Sequence, residues 1–126
     1  LDIHKDVVFL GKQDGLAEIL NAADLFLMPS QSESFGLSAL EAMACGVPVV
    51  SSSVGGLPEL NIHNETGYIA EIGDIDRMAK YAVELLTNEK RYKSFSKNAR
   101  ERSVKNFDKN LIVPKYVEYY ERVLNS

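Results

Sequence analysis

Four short apolar runs, separated by segments of helical periodicity, constrain the fold of this chain more than any other feature. Each run is free of charged side chains, which is typical of strands that are covered on both faces of a sheet. The connections between runs and helical segments are short. This alternation predicts an α/β fold with a partial doubly wound, Rossmann-like sheet of about four parallel strands. The predicted strands are Val7–Leu10, Leu25–Met28, Pro48–Val50 and Gly67–Ala70.

Helical patterns fill the intervals between these runs. Asp14 is expected to cap the first helix, whose apolar side chains recur at the i, i+3, i+4, i+7 spacing. A second helix is expected to open at Ser34-Phe35-Gly36 and to stop at Gly46. A single helical turn is predicted over Leu57–Leu60, with Pro58 at a tolerated early position. The apolar positions of the first helix are Leu16, Ile19, Leu20 and Ala23.

From Asp74 onward the pattern is helical only, which predicts one domain (1–126) with an α/β part (1–73) and a helical tail (74–126). Asp74 is expected to cap the first helix of the tail, and a second helix is expected over Lys90 to Lys105. A last segment is expected to begin at Asp108, with Pro114 in the first turn of its main helix. The predicted core face of the first tail helix is Ile75, Met78, Ala79, Ala82, Val83 and Leu86. The second helix is expected to bury Tyr92, Phe95 and Ala99.

An apolar and aromatic stripe runs along the last tail helix. We interpret it as a packing face. Solvent exposure of Tyr116 and Tyr120 would support either an interaction module built on the tail or packing of the tail onto a domain outside these 126 residues. The stripe consists of Ile112, Tyr116, Tyr119, Tyr120 and Val123.

Composition and charge exclude several classes of protein. The chain has 126 residues, 45% hydrophobic and 25% charged, which is typical of a folded globular domain. A net charge of −4 argues against nucleic acid as a partner. The single cysteine, Cys45, excludes an internal disulfide and favours a cytoplasmic setting. No clustering of His, Cys or Asp indicates a metal site, so neither a metal nor a cofactor is expected.

The stretch from Glu33 to Val50 carries the strongest functional signal. Two carboxylates, Glu33 and Glu41, flank the turn Ser34-Phe35-Gly36 and the helix that it opens. The first turn of a helix presents unpaired N–H groups and a positive dipole end, which favour an anion such as phosphate. Glu41 is expected roughly 8 Å along the helix. A ligand with hydroxyls at both ends and phosphate between them fits this pattern, and nucleotide sugars have that form.

Glu33-x7-Glu41, with Phe35-Gly36 after the first glutamate, resembles the signature of the family-4 retaining glycosyltransferases of GT-B fold. The surrounding segments agree in order: Ala23-Asp-Leu-Phe-Leu-Met-Pro-Ser30, Ala42-Met-Ala-Cys-Gly-Val-Pro-Val-Val50, Gly55-Gly-Leu-Pro-Glu59 and Thr66-Gly-Tyr68. The resemblance covers Val7 to Gly73. It implies the carboxyl-terminal, donor-binding part of such an enzyme.

The resemblance also implies roles for individual residues. Glu33 is assigned to the donor sugar hydroxyls as the catalytic-site carboxylate, and Glu41 to the ribose hydroxyls. The backbone N–H groups of Phe35, Gly36 and Leu37 are expected to face the sugar and diphosphate. Lys12 and Gln13 are expected near the uracil, with contacts made mainly by their backbone. Gly55 and Gly56 are expected to form a turn near the cleft. Ordinary capping or ion pairing by the two glutamates remains the alternative.

Further strings, among them Phe9-Leu-Gly-Lys-Gln-Asp14 and Leu57-Pro-Glu-Leu-Asn-Ile-His63, resemble one subfamily. Its reaction transfers N-acetylglucosamine from UDP-N-acetylglucosamine to the hydroxyl of L-malate with retention. A family-4 enzyme acting on another acceptor, such as a polysaccharide or a lipid, is the alternative. A non-catalytic nucleotide-sugar-binding module and a helical interaction module built on the tail are the rival hypotheses.

The resemblance begins at the third strand of the GT-B donor domain, and the chain starts at Leu1-Asp2 without a methionine. We therefore expect a piece of a larger protein that lacks the upstream Arg/Lys pair and the amino-terminal acceptor domain, and that is inactive alone. Because the intervening strands are missing, Val7–Leu10 is expected either to pair beside Leu25–Met28 or to leave an exposed edge through which chains associate.

Overall fold

The computed structural model describes residues 1–126 and consists of a small parallel sheet surrounded by helices. The strands are β1 (Phe26–Met28), β2 (Val49–Ser52) and β3 (Gly67–Ala70). The helices are α1 (Leu16–Asn21), α2 (Leu37–Ala44), α3 (Leu57–Leu60), α4 (Ile75–Thr87), α5 (Glu89–Phe107) and α6 (Lys109–Leu124). No helix combines the length and the apolar character that crossing a membrane requires.

The sheet has the order β1-β2-β3, and both pairings are parallel. In the register, Val49 of β2 lies opposite Phe26 of β1 and Gly67 of β3. Every residue of the central strand β2 is buried. The predicted α/β class with a parallel sheet is therefore confirmed, although the sheet has three strands rather than about four.

The predicted strand Val7–Leu10 does not form. The segment has no regular secondary structure and is exposed, with Val8 at 77% and Phe9 at 95% accessibility. Pairing of this segment beside β1 was therefore a wrong expectation. An extended segment this short needs a neighbour for its backbone hydrogen bonds, and β1 bonds only to β2. Association of chains through the free edge of β1 stays a prediction.

Two apolar clusters form the core. The first lies between α1, α2, α3 and β2, and it includes Met43, Leu57 and Leu60, each fully buried. The second lies between the sheet and the helices α4 and α5. It consists of Val50, Tyr68, Ala70, Met78, Leu85 and Phe95. Helix α5 contributes Ala99 to the first cluster and Phe95 to the second, so it joins the two halves of the core.

The helix boundaries agree with the local signals in most places. Asp74 caps α4 as predicted, since its carboxylate accepts from the N–H of Arg77 at 3.1 Å. Helix α2 starts directly after Gly36, as predicted. The cap of α1 is Gly15 in a left-handed conformation (φ 80°) rather than Asp14, and no side chain caps this helix. Glycine reaches this conformation without steric cost, which explains the shift by one residue.

The buried face of α4 differs from the prediction. Met78 and Leu85 are buried, whereas Ile75, Val83 and Leu86 are 75%, 59% and 57% exposed. The observed face is a helical stripe in which Met78 and Leu85 are joined by half-buried Tyr81 and Ala82. Contacts of α4 with β2, β3 and α5 select this stripe, and the sequence pattern did not distinguish it from the neighbouring one.

The packing predicted for the stripe on α6 is wrong. No residue of this helix is buried, and Tyr116 and Tyr120 are 59% and 60% exposed. Pro114 lies inside the helix rather than in its first turn, because α6 begins at Lys109. An apolar helix face is buried only where another apolar surface faces it, and these 126 residues supply none at that position.

A polar network closes the second cluster around Tyr68. The hydroxyl of Tyr68 donates to Glu84 at 2.9 Å and accepts from Arg91 at 2.5 Å, and the ring stacks on Tyr81 with 4.2 Å between centroids. Burial raises the pKa of the Tyr68 hydroxyl, and Glu84 raises this pKa further, against the opposing effect of Arg91.

We expect this network to make stability fall at high pH. Since the folded state holds the Tyr68 proton more tightly than the unfolded chain does, its stabilisation is present below the unfolded pKa of 10.0 and is lost as pH rises through the higher folded pKa. The urea midpoint should therefore decline above about pH 10. Tyr68→Phe should be less stable at neutral pH but show a flatter decline, whereas Tyr119→Phe, at an exposed position, should keep the wild-type slope.

Candidate functional site

The candidate site lies at the carboxyl ends of β1 and β2. The segment 29–36 follows β1, and the segment 53–56 follows β2. The hydroxyl of Ser52 donates to the carbonyl of Ser30 at 2.5 Å and so ties the two strand ends together. In open α/β sheets, ligands bind at this edge, in the space beyond the carboxyl ends of parallel strands.

The turn Ser34-Phe35-Gly36 opens helix α2 toward this edge. Gly36 has φ 94° and ψ 48°, a conformation that favours glycine, and an added Cβ would lie 2.5 Å from the Leu57 side chain. The first intrahelical bond runs from the Leu40 N–H to the Gly36 carbonyl at 3.0 Å. The N–H groups of residues 37–39 therefore have no acceptor within the helix. They form a site of positive potential that can bind an anion.

The Gly55-Gly56 turn packs directly against the Ser34-Phe35-Gly36 turn. The N–H of Gly56 donates to the Ser34 carbonyl at 2.9 Å. A Cβ on Gly55 would lie 1.6 Å from the Glu33 carbonyl oxygen, and one on Gly56 would lie 2.9 Å from the Phe35 Cα. Glycine is required at both positions because the two backbones touch.

The two carboxylates occupy different environments. Glu33 is half-buried, and its side chain accepts from the Ser34 N–H at 3.1 Å. Glu41 is exposed on α2, where it lines two adjoining open cavities of about 320 and 300 Å³, each of which also includes Arg100. Neither carboxylate forms an ion pair, since all five salt bridges involve other residues. Glu41 accepts no hydrogen bond, whereas one oxygen of Glu33 is bonded to the Ser34 N–H and the other has no partner. Both carboxylates can therefore accept from ligand hydroxyls.

Positive side chains are absent from the segments that build the site. No lysine or arginine occurs between Lys12 and Arg77. The helix N–H groups are thus the principal positive feature that these segments offer to an anion. No group of three or more His, Cys, Asp or Glu side chains is arranged to hold a metal ion.

Lys12 and Gln13 lie in the exposed segment that precedes α1. The amide of Gln13 donates to the Leu10 carbonyl at 2.5 Å, and neither residue forms a hydrogen bond or ion pair with the turn. The structure thus brings Glu33, Phe35 and Gly36 together with the Gly55-Gly56 turn. It places Glu41 on the same helix as Leu37, which is 67% exposed. The role of Lys12 and Gln13 near a nucleobase stays a prediction.

Two residues at the end of α5 contact this region, and the sequence pattern did not indicate them. The ring of Phe107 meets the ring of Phe35 edge-to-face, with 5.8 Å between centroids. Arg102 donates to the carbonyls of Glu59 and Leu60 at the end of α3, at 2.5 and 2.8 Å. The only signal in the sequence is that both residues lie on the half-buried face of α5. That position does not predict which residues they contact.

These features define the class of protein as an α/β domain with a parallel sheet, in which the amino terminus of a helix follows the carboxyl end of a strand. Residues 1–102 match the sequence model of the family Glycosyl transferases group 1, so the chain belongs to that family.

Relatives and solved structures agree with this assignment. N-acetyl-alpha-D-glucosaminyl L-malate synthase from Bacillus anthracis is 46% identical over 126 residues, which is all of this chain and 33% of the relative. The chain thus spans about a third of the length of that curated relative.

Two solved structures share the fold over nearly the whole chain. Sucrose-phosphate synthase from Thermosynechococcus elongatus superposes with a TM-score of 0.94 at 34% identity and covers 98% of this chain and 32% of its own. Anabaena HepE in complex with UDP and glucose superposes with a TM-score of 0.91 at 27% identity. The matched region is 95% of this chain and 33% of the HepE chain. The predicted GT-B type of fold is confirmed.

Proposed function

We propose that this chain forms the donor-binding part of a retaining glycosyltransferase and binds a UDP-sugar. The observation that carries this proposal is the turn at Ser34-Phe35-Gly36, which directs unpaired helix N–H groups toward the carboxyl edge of the sheet, between two carboxylates that form no ion pair. Each part of this arrangement matches one part of a nucleotide sugar. The complex of HepE with UDP and glucose supports the ligand class.

In this proposal, the diphosphate lies against the amino terminus of α2, where the dipole and the N–H groups of residues 37–39 stabilise its charge. Glu33 accepts from hydroxyls of the donor sugar, and Glu41 accepts from the ribose hydroxyls. A carboxylate accepts two such bonds at once, which makes each contact charge-assisted. The absence of a Cβ at Gly36 lets the ligand approach the backbone closely.

For the particular reaction, we propose UDP-N-acetylglucosamine as donor and L-malate as acceptor. The support is the 46% identity to the Bacillus anthracis synthase, whose name states the product that joins these two groups. A transferase that uses another acceptor is the alternative. The test measures UDP release by the full-length parent protein. Release in the presence of malate, and not of other hydroxy acids, would support malate as the acceptor.

Catalysis requires more than this chain supplies. Charge develops on the departing diphosphate, and neutralising it is the main electrostatic task of the transfer. Residues 13–76 contain no lysine or arginine, and Arg100, which lines the cavities beside Glu41, donates to the Ala44 carbonyl. We therefore expect binding without turnover. Release of UDP from UDP-N-acetylglucosamine by the isolated 126 residues would contradict this expectation.

The binding proposal is tested by calorimetric titration with UDP. Glu41→Gln keeps the size of the side chain but removes the charge that strengthens its bonds to the ribose hydroxyls. A charged hydrogen bond contributes about 1.5–3 kcal/mol, so we expect Kd to rise by about one to two orders of magnitude. Glu118→Gln, an exposed glutamate on α6, should leave Kd unchanged.

Failure of the wild-type chain to bind UDP would contradict the proposal. An equal loss of affinity in Glu41→Gln and Glu118→Gln would contradict the ribose assignment, because the effect would then follow from net charge alone. Repeating the titration in higher salt separates the two causes, since a general charge effect is screened while a direct contact largely persists.

A further inference from the structure

The turn at Ser34-Phe35-Gly36 is supported from two sides. On one side its backbone rests on the Gly55-Gly56 turn through the bond from the Gly56 N–H to the Ser34 carbonyl. On the other side the ring of Phe35 is half-buried and meets Phe107 edge-to-face, at 5.8 Å and an interplanar angle of 66°. Phe107 is the last residue of α5, so the helical tail reaches back to the turn.

Arg102 holds the end of α5 in this position. Its guanidinium lies 5.9 Å from the centroid of the Phe107 ring, a cation–π contact. The same guanidinium donates to the carbonyls of Glu59 and Leu60, which close α3. Helix α3 begins directly after the Gly55-Gly56 turn. Arg102 therefore links the tail to both supports of the turn.

We propose that Phe107 and Arg102 are positioning residues for the donor site, which they serve by fixing Phe35 and thereby the direction of the free N–H groups of α2. This inference rests on the proposed function. Phe107 also lines the cavity of about 300 Å³ that includes Glu41, so a readout without ligand is needed to separate positioning of the turn from contact with the ligand. An edge-to-face aromatic pair contributes modestly to stability, but at this place it restricts the turn whose geometry decides how the diphosphate is held.

The chain contains a matched control for this arrangement on the same helix. Phe95 also meets an aromatic ring edge-to-face, that of Tyr68 at 5.3 Å and 63°. It also lies near a guanidinium, that of Arg91 at 6.0 Å from the ring centroid. Phe95 is only 5% exposed, but it belongs to the second apolar cluster and has no contact with the turn. The two phenylalanines thus differ in what they support.

The test compares Phe107→Leu, Phe107→Tyr and Phe95→Leu by UDP titration, alongside urea unfolding. We expect Phe107→Leu to weaken UDP binding about three- to tenfold, since the aromatic pair is lost. Phe107→Tyr keeps the ring and should stay within about twofold of wild type. Phe95→Leu should lower the urea midpoint at least as much as Phe107→Leu does, without changing Kd. Equal changes of Kd in the two leucine variants would overturn the proposal.

A ligand-free readout separates this inference from the proposed function. The amide protons of Gly56 and Leu40 report on the turn, because they bond to the Ser34 and Gly36 carbonyls. Their hydrogen exchange should accelerate in Phe107→Leu and stay unchanged in Phe95→Leu. Unchanged exchange in Phe107→Leu would overturn the positioning role. Failure of the wild type to bind UDP would overturn the proposed function. The exchange data would still show whether Phe107 stabilises the Ser34-Phe35-Gly36 turn.

Discussion

Replacing Gly55 by alanine is expected to abolish measurable UDP binding while the domain stays folded. The added Cβ would lie 1.6 Å from the Glu33 carbonyl oxygen, against a minimum of about 3.0 Å that real contacts allow. The segment carrying Glu33 and the turn would have to move apart by more than an ångström. A misplacement of that size costs on the order of 100-fold in rate at a preorganised catalytic site, and we expect a loss of similar size in UDP affinity.

Gly73→Ala is the control for this substitution. Gly73 has φ 81° and Gly55 has φ 56°, so alanine pays a comparable backbone cost at both positions, about 1–2 kcal/mol. At Gly73, however, nothing lies within 4 Å of the added Cβ. Calorimetry should show wild-type affinity for Gly73→Ala and none for Gly55→Ala. Equal affinity of the two variants would mean that the contact between the two turns does not shape the site.

Replacing Asn61 by leucine is expected to cost about 3 kcal/mol of unfolding free energy, the largest loss of stability that we predict. Asn61 is fully buried, and the two N–H groups of its amide are shared among three acceptors: the carbonyls of Val49 and Tyr68 and the hydroxyl of Ser51, at 3.1, 3.0 and 3.1 Å. Its amide oxygen accepts from the Thr66 hydroxyl at 3.1 Å. Leucine fills the space but satisfies none of these groups.

The measurement is urea unfolding followed by circular dichroism, with Asn106→Leu as the control. Asn106 is exposed on α5 and forms no side-chain hydrogen bond, so its replacement should change stability by less than about 0.5 kcal/mol. The m-value should stay constant if both variants keep the native compactness. A loss below about 1 kcal/mol for Asn61→Leu would show that the network contributes little beyond filling space.

The sequence by itself determined the elements whose signals are local. The apolar runs at Phe26–Met28, Val49–Ser52 and Gly67–Ala70 are strands, and Asp74 caps its helix. The turn before α2 was also predictable, because glycine at position 36 permits the left-handed conformation that opens the helix. The motif around Glu33 and Glu41 located the candidate site and indicated the family.

Only the tertiary structure decided which apolar surfaces have partners. Val7–Leu10 is as apolar as the true strands, but it lacks a neighbour and remains exposed. The stripe on α6 has the period of a buried helix face and is exposed for the same reason. Burial is a property of two surfaces, and a sequence pattern describes only one of them. For that reason the sequence did not reveal the roles of Phe107 and Asn61. Phe107 contacts Phe35, which is distant in sequence, and Asn61 bonds to Val49 on strand β2.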